Sequence, residues 1–501
     1  MMHSQNTHTE KSVLSHLLFL LLGPCLFLLI LAPGRPETMT PEAHKVGAIA
    51  AWMAVWWLTD IIPLGATALI PFALFPLLGV MPGDQTLFSF AEDIIFLMMG
   101  GFMLAAAMER WNLHRRIALS VIDSLGATPR RIVLGFMLAT GFVSMWISNT
   151  STTLMMLPIA TAVLVKLGEM EEDVSLHKLA PALMLAIAYS ASIGGVATLI
   201  GTPPNMYFKS QAQAIIGQEY SFFEWLKIGI PFTVILLPLT WLVLVRFLFA
   251  LPDQISQVSH DVIRNERLKL GRMNRGEIIV AVVFTLTALG WIFRKTIPLG
   301  SFVIPGLETI FPLLNKDATI AVCAALVLFA IPVDLSKKVF VLDMKTALKI
   351  PWDILLLFSG GICLANGFEQ SQLSSWLATQ LAFFQHFHPY LVLLICVTMI
   401  VFLTEITSNA ATAIIFIPIM AALSESIGQH PFFLMIPCTL GVSMAFMLPV
   451  ATPPNAIVYG SGFVSIQQMS RTGLVINIIS IVCNTLLSIA LLSLVLGIDI
   501  H

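Results

Sequence analysis

The chain of 501 residues is 57% hydrophobic and 11% charged, with a mean hydropathy of +0.90. Ordinary soluble domains carry about a quarter charged residues, so these values exclude a water-soluble globular protein and predict a multi-pass protein of the lipid bilayer. The net charge of −2 carries no information about partners, and no nucleic-acid partner is expected.

In chain order, residues 1–12 are polar and read as disordered, and 13–32 form an apolar run that follows Lys11. That run is longer than a signal core, and Pro33-Gly34-Arg35 is a poor cleavage site, so it reads as a retained first span. Further runs of spanning length lie at 46–80, with room for two antiparallel spans, and at 90–108, 179–200 and 228–250. A polar linker, 251–275, joins them to runs at 277–293, 318–333, 350–365, 432–450 and 472–497. Two more runs, 133–164 and 389–424, are interrupted by Ser-Asn clusters and read as hairpins that re-emerge on their own side. The fold class expected is all-α, about eleven transmembrane helices plus two re-entrant helical hairpins.

Residues 93–113, DIIFLMMGGFMLAAAMERWNL, recur 260 positions later as DILLLFSGGICLANGFEQSQL. The same offset carries Ser148-Asn149 onto Ser408-Asn409 and Pro158 onto Pro418, while GTPPN at 201–205 is answered by ATPPN at 451–455. Duplicated halves with polar, Pro-broken segments at matching places point to a secondary transporter whose site lies at the repeat interface. After each Gly-Gly span comes an amphipathic stretch, 109–126 and 369–384. In the first, Trp111, Leu113, Ile117 and Val121 oppose Arg110, His114, Arg115 and Arg116, which suits a helix lying along the interface.

Basic residues cluster at 110–131, 246–275 and 337–349, and are absent from 371–388 and 424–431. By the positive-inside rule the first three connections are cytoplasmic and the last two external. The two copies then run in opposite senses, as inverted repeats, with the N-terminus inside and the C-terminus outside.

The segment SMWISNTSTT, 144–153, and the segment TEITSNAATA, 404–413, place hydroxyls and amides in the middle of apolar hairpins. Unsatisfied polar groups at membrane depth cost several kcal/mol each, so such segments persist only when buried in protein or lining a wet cavity. A Ser-Asn turn between half-helices exposes N–H groups that attract anions and oxygens that coordinate a hard cation at about 2.3 to 2.6 Å. In the TPPN boxes Pro203-Pro204 and Pro453-Pro454 break their helices, freeing the carbonyls of Gly201 and Ala451 and presenting Thr202 and Thr452. None of these segments holds Arg, Lys or His, so an anionic substrate would be balanced by helix dipoles and co-bound cations. Glu405 is the one acid in the clusters, either functional or a partner for nearby backbone and hydroxyl groups. His386 and His388 read as loop residues, and the six cysteines, all in apolar runs, as small core hydrophobes without a disulfide. No phosphate-binding loop, HExxH or nucleophile elbow is present, and no enzyme activity is expected.

These motifs, in this order from about residue 45 to 497, resemble the divalent anion/sodium symporter family, the di- and tricarboxylate and sulfate carriers. The resemblance implies a homodimer of inverted repeats in which a transport domain moves against a scaffold as an elevator. Carried onto this chain, Ser148, Asn149, Thr150, Ser408 and Asn409 would hold the substrate, aided by Thr202-Pro203 and Thr452-Pro453. One sodium would be held by Ser144, Ser148, Asn149 and Gly201, and a second by Thr404, Thr407, Asn409 and Ala451. The second Ser-Asn-Thr reads Ser408-Asn409-Ala410, so one hydroxyl is missing, and Thr412 is the residue placed to compensate from the next turn.

The domain division expected is scaffold at 1–131, transport at 132–250, a cytoplasmic linker at 251–275, scaffold at 276–386 and transport at 387–501. The function expected is sodium-coupled symport of a C4 dicarboxylate such as succinate, malate or fumarate, in a cell membrane and most simply the bacterial inner membrane. Sodium-independent anion exchange and sodium/sulfate symport are the alternatives.

Overall fold

A computed structural model describes residues 2–125, 128–168, 176–217, 219–252, 257–299 and 302–496. The first half opens with α1 (Met2–Leu31), α2 (Pro41–Thr59), the short α3 (Leu64–Thr67) and α4 (Ile70–Leu77), then α5 (Gly83–Phe90), α6 (Asp93–Arg110) and α7 (Leu113–Leu125). It continues through α8 (Pro129–Ser144), α9 (Asn149–Gly168), α10 (Leu176–Gly195), α11 (Pro203–Ile216) and α12 (Phe222–Leu242), which ends in a π-helical turn to Leu248. A linker helix, α13 (Gln257–Lys269), leads to α14 (Arg275–Ile292), α15 (Leu307–Ile310), α16 (Asp317–Ala330) and α17 (Met344–Ala347). The second half then repeats the order of the first with α18 (Trp352–Gln370), α19 (Leu373–Leu381), α20 (Pro389–Leu403), α21 (Asn409–Ser426), α22 (Phe432–Gly441), α23 (Pro453–Gly460) and α24 (Ile466–Leu496). The described strands are limited to two small hairpins, 297–304 and 332–340.

Local sequence sets the boundaries. Pro129 and Pro389, 260 apart, each start the first leg of a hairpin, where a missing N–H costs nothing. Thr128 and His388 cap those legs, and Ser221–Glu224 and Asn274–Glu277 form capping boxes for α12 and α14. The amphipathic stretch after each Gly-Gly helix is a separate helix, because Asn112 and Gln372 turn the chain at positive φ (57° and 63°). His114, expected on the polar face of α7, lies instead on the buried side, its ring bonded to the Met108 carbonyl.

Among the described residues seven helices are long and apolar enough to span a bilayer alone, and an eighth arises if the pair bent by 117° at residues 387–388 is taken as one span. Several expected spans are shorter than a full crossing: α3 and α4 together, α16 and α22. The helix of α1 extends back through the polar start of the chain, which was expected to be disordered. No Gly or Pro interrupts it before Gly23, so helix propagates outward from the apolar run. Cys363, Cys396 and Cys438 are buried, whereas Cys25 and Cys323 lie on the exposed face of their helices, where an apolar surround tolerates a thiol as well as a core does.

The two Gly-Gly helices cross into opposite halves. A Cβ on Gly100 would stand 2.7 Å from Ala321 of α16, and one on Gly360 would run into the Ala68 carbonyl at the end of α3. The second glycine of each pair faces the polar segments, Gly101 toward Ile200 and Gly361 toward Ile414. A buried charge cluster ties α11 to α14 and α16: Asp317 pairs with Lys209 and with Arg294, and Arg294 also reaches Glu219 at 2.8 Å. Arg294 is fully buried, so removing any partner would leave an uncompensated charge.

Gly360→Ala should therefore lower thermal stability by about 1 to 3 kcal/mol through overpacking. Gly47→Ala, where the nearest atom lies at 3.9 Å, should be neutral, and melting of the two proteins in detergent checks the contrast.

Candidate functional site

Four helices begin at the motif residues: α9 at Asn149, α11 at Pro203, α21 at Asn409 and α23 at Pro453. Their first N–H groups have no partner within the helix, so each start is a partial positive charge. Packing joins them in two pairs across the repeats, α9 on α23 and α11 on α21. The hydroxyl of Tyr189 on α10 donates to the Phe446 carbonyl (2.9 Å), and that of Tyr207 on α11 to the Ile414 carbonyl (3.2 Å).

At the tip of the first hairpin, Ser144 Oγ stands 2.7 Å from Asn149 Oδ1 and 2.7 Å from the Ala191 carbonyl oxygen. At the tip of the second, Thr404 Oγ1 stands 2.7 Å from Asn409 Oδ1 and 2.8 Å from the Val442 carbonyl oxygen. Each is the same triad of hydroxyl, amide oxygen and main-chain oxygen. One hydroxyl proton serves only one of its two acceptors, so each cluster holds more oxygen lone pairs than hydrogens. That is the donor set of a hard cation. Both hydroxyls are fully buried.

The remaining expected site residues divide. Ser148 is exposed, Asn149, Thr150, Ser408 and Asn409 are half-buried, and all five sit at the tips, Ser148 Oγ accepting from the Ser151 N–H at 3.2 Å. Thr202 and Thr452 are buried one residue before their prolines, and Thr452 caps α23 through the Asn455 N–H. Pro203 is half-buried and Pro453 exposed. Gly201 packs on the Gly195 carbonyl, and Ala451 is buried in the equivalent turn. Thr407 is turned toward its own hairpin, its hydroxyl bonded to the Leu403 carbonyl (2.8 Å) and to Thr412 Oγ1 (2.7 Å). Thr412 does not replace the hydroxyl missing at Ala410: it is fully buried and donates to the Ser408 carbonyl. A threonine in the first turn of a helix readily bonds back four residues, which draws it away from the tip.

Glu405 partners backbone and amide groups of the second half. Its carboxylate accepts from the backbone N–H groups of Phe446 (2.6 Å), Met447 (2.9 Å) and Leu448 (3.2 Å) and from Asn477 Nδ2 (2.7 Å). These N–H groups belong to the unwound turn between α22 and α23 and have no helical acceptor. In the first half Met145 takes the place of Glu405, and there its carbonyl accepts from Thr198 Oγ1 at 2.5 Å. His388 caps α20, and among the described residues no group of three His, Cys, Asp or Glu side chains could hold a metal.

Sequence reasoning missed the carbonyls of Ala191 and Val442, which no side-chain identity announces. It also passed over the asparagines that end the TPPN boxes, although the repeated letter was a signal.

The family description "sodium:sulfate symporter transmembrane region" matches residues 12–497. The chain belongs to this family. It is therefore a membrane transporter, not an enzyme. It is 40% identical over 506 residues to a protein of Staphylococcus saprophyticus named sodium-dependent dicarboxylate transporter SdcS, covering 100% of this chain and 96% of that one. A protein of the same name from Staphylococcus aureus is 41% identical over 490 residues, covering 97% and 93%. In fold it is similar to the Alcanivorax borkumensis YdaH transporter (TM-score 0.54, 14% identity, 88% and 98% covered) and to Neisseria gonorrhoeae MtrF, described within a class of antimetabolite efflux pumps (TM-score 0.56, 11% identity, 83% of each).

Glu405→Gln places an amide hydrogen pair where three N–H donors converge, so melting in detergent should show a loss of roughly 1.5 to 3 kcal/mol. Unchanged stability would mean that the unwound turn is held by other contacts.

Proposed function

We propose that this transporter couples inward movement of a C4 dicarboxylate, succinate, malate or fumarate, to sodium. The observation that carries the reading is the pair of matching oxygen triads, Ser144–Asn149–Ala191 O and Thr404–Asn409–Val442 O, beside four helix starts. One sodium ion in each triad would satisfy both acceptors that now compete for one proton, with Gly201 and Ala451 or the tip serines completing each shell. The helix starts and the amides of Asn149 and Asn409 would meet the two carboxylates, with Thr150 serving one end and Ala410 leaving the other with one donor fewer.

Chemistry ties the two together. No Arg, Lys or His lies in 144–153, 201–205, 404–413 or 451–455, so two sodium ions supply the balancing charge. A dianion with two sodium ions is neutral, and only a neutral load crosses hydrocarbon without a large charge penalty. The names of the relatives favour a dicarboxylate over sulfate. The glycine faces at Gly101 and Gly361 suit an elevator, in which α8–α12 and α20–α24 move as a transport domain against the remaining helices of a homodimer. In that arrangement the repeats are inverted, the N-terminus is cytoplasmic, the C-terminus is external, and the bilayer is a bacterial inner membrane.

Reconstituted in proteoliposomes, the protein should take up labelled succinate when a sodium gradient is imposed and not when succinate is merely preloaded inside. Exchange without sodium would refute the symport. Asn149→Ala and Asn409→Ala should each reduce uptake tenfold or more, since an amide contact to a charged group is worth roughly 1.5 to 3 kcal/mol. Wild-type uptake in both would remove these residues from the site.

The topology has its own check. In a background without native cysteines, Ser120→Cys and Glu425→Cys should react with an impermeant thiol reagent from opposite faces. Reaction of both from one face would exclude inverted repeats.

A further inference from the structure

Each TPPN box ends in an asparagine that neither the family match nor the triads use. Asn205 and Asn455 are both fully buried. Asn205 Nδ2 lies within hydrogen-bond reach of three main-chain oxygens of the unwound turn, those of Gly195 (3.2 Å), Val196 (3.2 Å) and Thr198 (2.7 Å). Asn455 Nδ2 does the same 250 residues later with Ala445 (3.1 Å) and Leu448 (3.0 Å). The carbonyls fix which end of each amide carries the hydrogens. In both halves the amide oxygen is then buried without a partner. The hydroxyls of Ser192 and Ser443, next to the triad carbonyls of Ala191 and Val442, are orphaned in the same way.

A buried orphan acceptor costs free energy and calls for an explanation, and one that recurs at the same place in both halves is not an accident of packing. The turns it borders follow directly on the triad carbonyls, Ala191 in the last turn of α10 and Val442 just past α22, and in the first half Gly195 lies against Asn149 Oδ1 and Gly201 against the Gly195 carbonyl. An apolar residue of similar volume would fill the space equally well but would neither hold the carbonyls nor offer an oxygen.

We propose that Asn205 and Asn455 are positioning residues for the two sodium sites. Their amide hydrogens hold the unwound backbone in the shape that presents its oxygens, and their amide oxygens accept from a water bound to the ion. This rests on the reading of the triads as sodium sites. It predicts an effect on sodium that is separate from the effect on substrate.

The test is the sodium activation of succinate uptake by Asn205→Ala and Asn455→Ala, with sodium-induced thermal stabilisation of the purified proteins measured alongside. The sodium half-saturation should rise about tenfold or more while the succinate KM at saturating sodium changes less than about threefold, because one clamp on the ion's shell is lost and no substrate contact is touched. The rise in Tm on adding sodium should shrink, and Asn205→Ser, which keeps one donor, should recover part of it. An unmoved sodium half-saturation, with Tm lowered equally in the presence and absence of sodium, would assign these residues to packing and overturn the proposal. If the alanine variants do not assemble, Asn205→Ser and Asn455→Ser carry the same measurement. Wild-type uptake indifferent to sodium would refute the sodium reading itself; sodium-driven wild type with unmoved variants would refute the asparagines alone.

Discussion

Every backbone polar group at membrane depth must find a partner inside the protein, and among the described residues this chain breaks its helices at four matched places. Two breaks are hairpin tips, at 145–148 and 404–408, and two are the unwound turns before the TPPN helices. The rest of the structure follows from how those groups are satisfied. Part of the solution is internal: the Glu405 carboxylate collects three N–H groups, Asn205 and Asn455 collect carbonyls, and Thr198 bridges the Met145 carbonyl to the Gly201 N–H (3.1 Å). What is left over is unevenly charged, with oxygens gathered in two triads and N–H groups at four helix starts. In the proposed function a cation and an anion would complete it together, which is why the absence of basic residues from these segments is informative.

The two halves solve the same problem with different parts. The side-chain members of the triads match at an offset of 260, serine answering threonine, and the carbonyls of Ala191 and Val442 at 251, while the supporting groups diverge, Met145 standing where Glu405 stands and Thr150 where Ala410 stands. The second turn is thus held by a buried carboxylate, and the first by the Thr198 hydroxyl and three Asn205 contacts. Across the halves, each Gly-Gly helix presses its first glycine on the opposite half and its second on the polar segments. The glycines let backbone approach backbone where a methyl group would collide, so they shape the surface against which the site is built.

Much of this was legible in the sequence because repetition gave each motif a second witness. The hairpin tips, the proline breaks and the separate amphipathic helices after the Gly-Gly spans appear where the letters place them. Span lengths were less legible, since hydropathy cannot show that α22 unwinds after ten residues or that α3 and α4 break at Ala68 and Leu69. The buried cluster of Lys209, Arg294 and Asp317 was hidden because its members lie more than twenty residues apart, Lys209 within α11, Arg294 just past α14 and Asp317 at the start of α16. The main-chain members of the triads were invisible for a simpler reason, as a carbonyl oxygen is common to every residue and only the fold selects Ala191 and Val442.

The central claim is that cations bound in the triads create the site for the dianion. Equilibrium binding of labelled succinate to the purified protein, in sodium and in choline at equal ionic strength, tests it without any transport step. With two ions each coupled to the substrate by about 1 to 3 kcal/mol, affinity should fall on the order of a hundredfold when sodium is replaced. Equal affinity in the two salts would contradict the account.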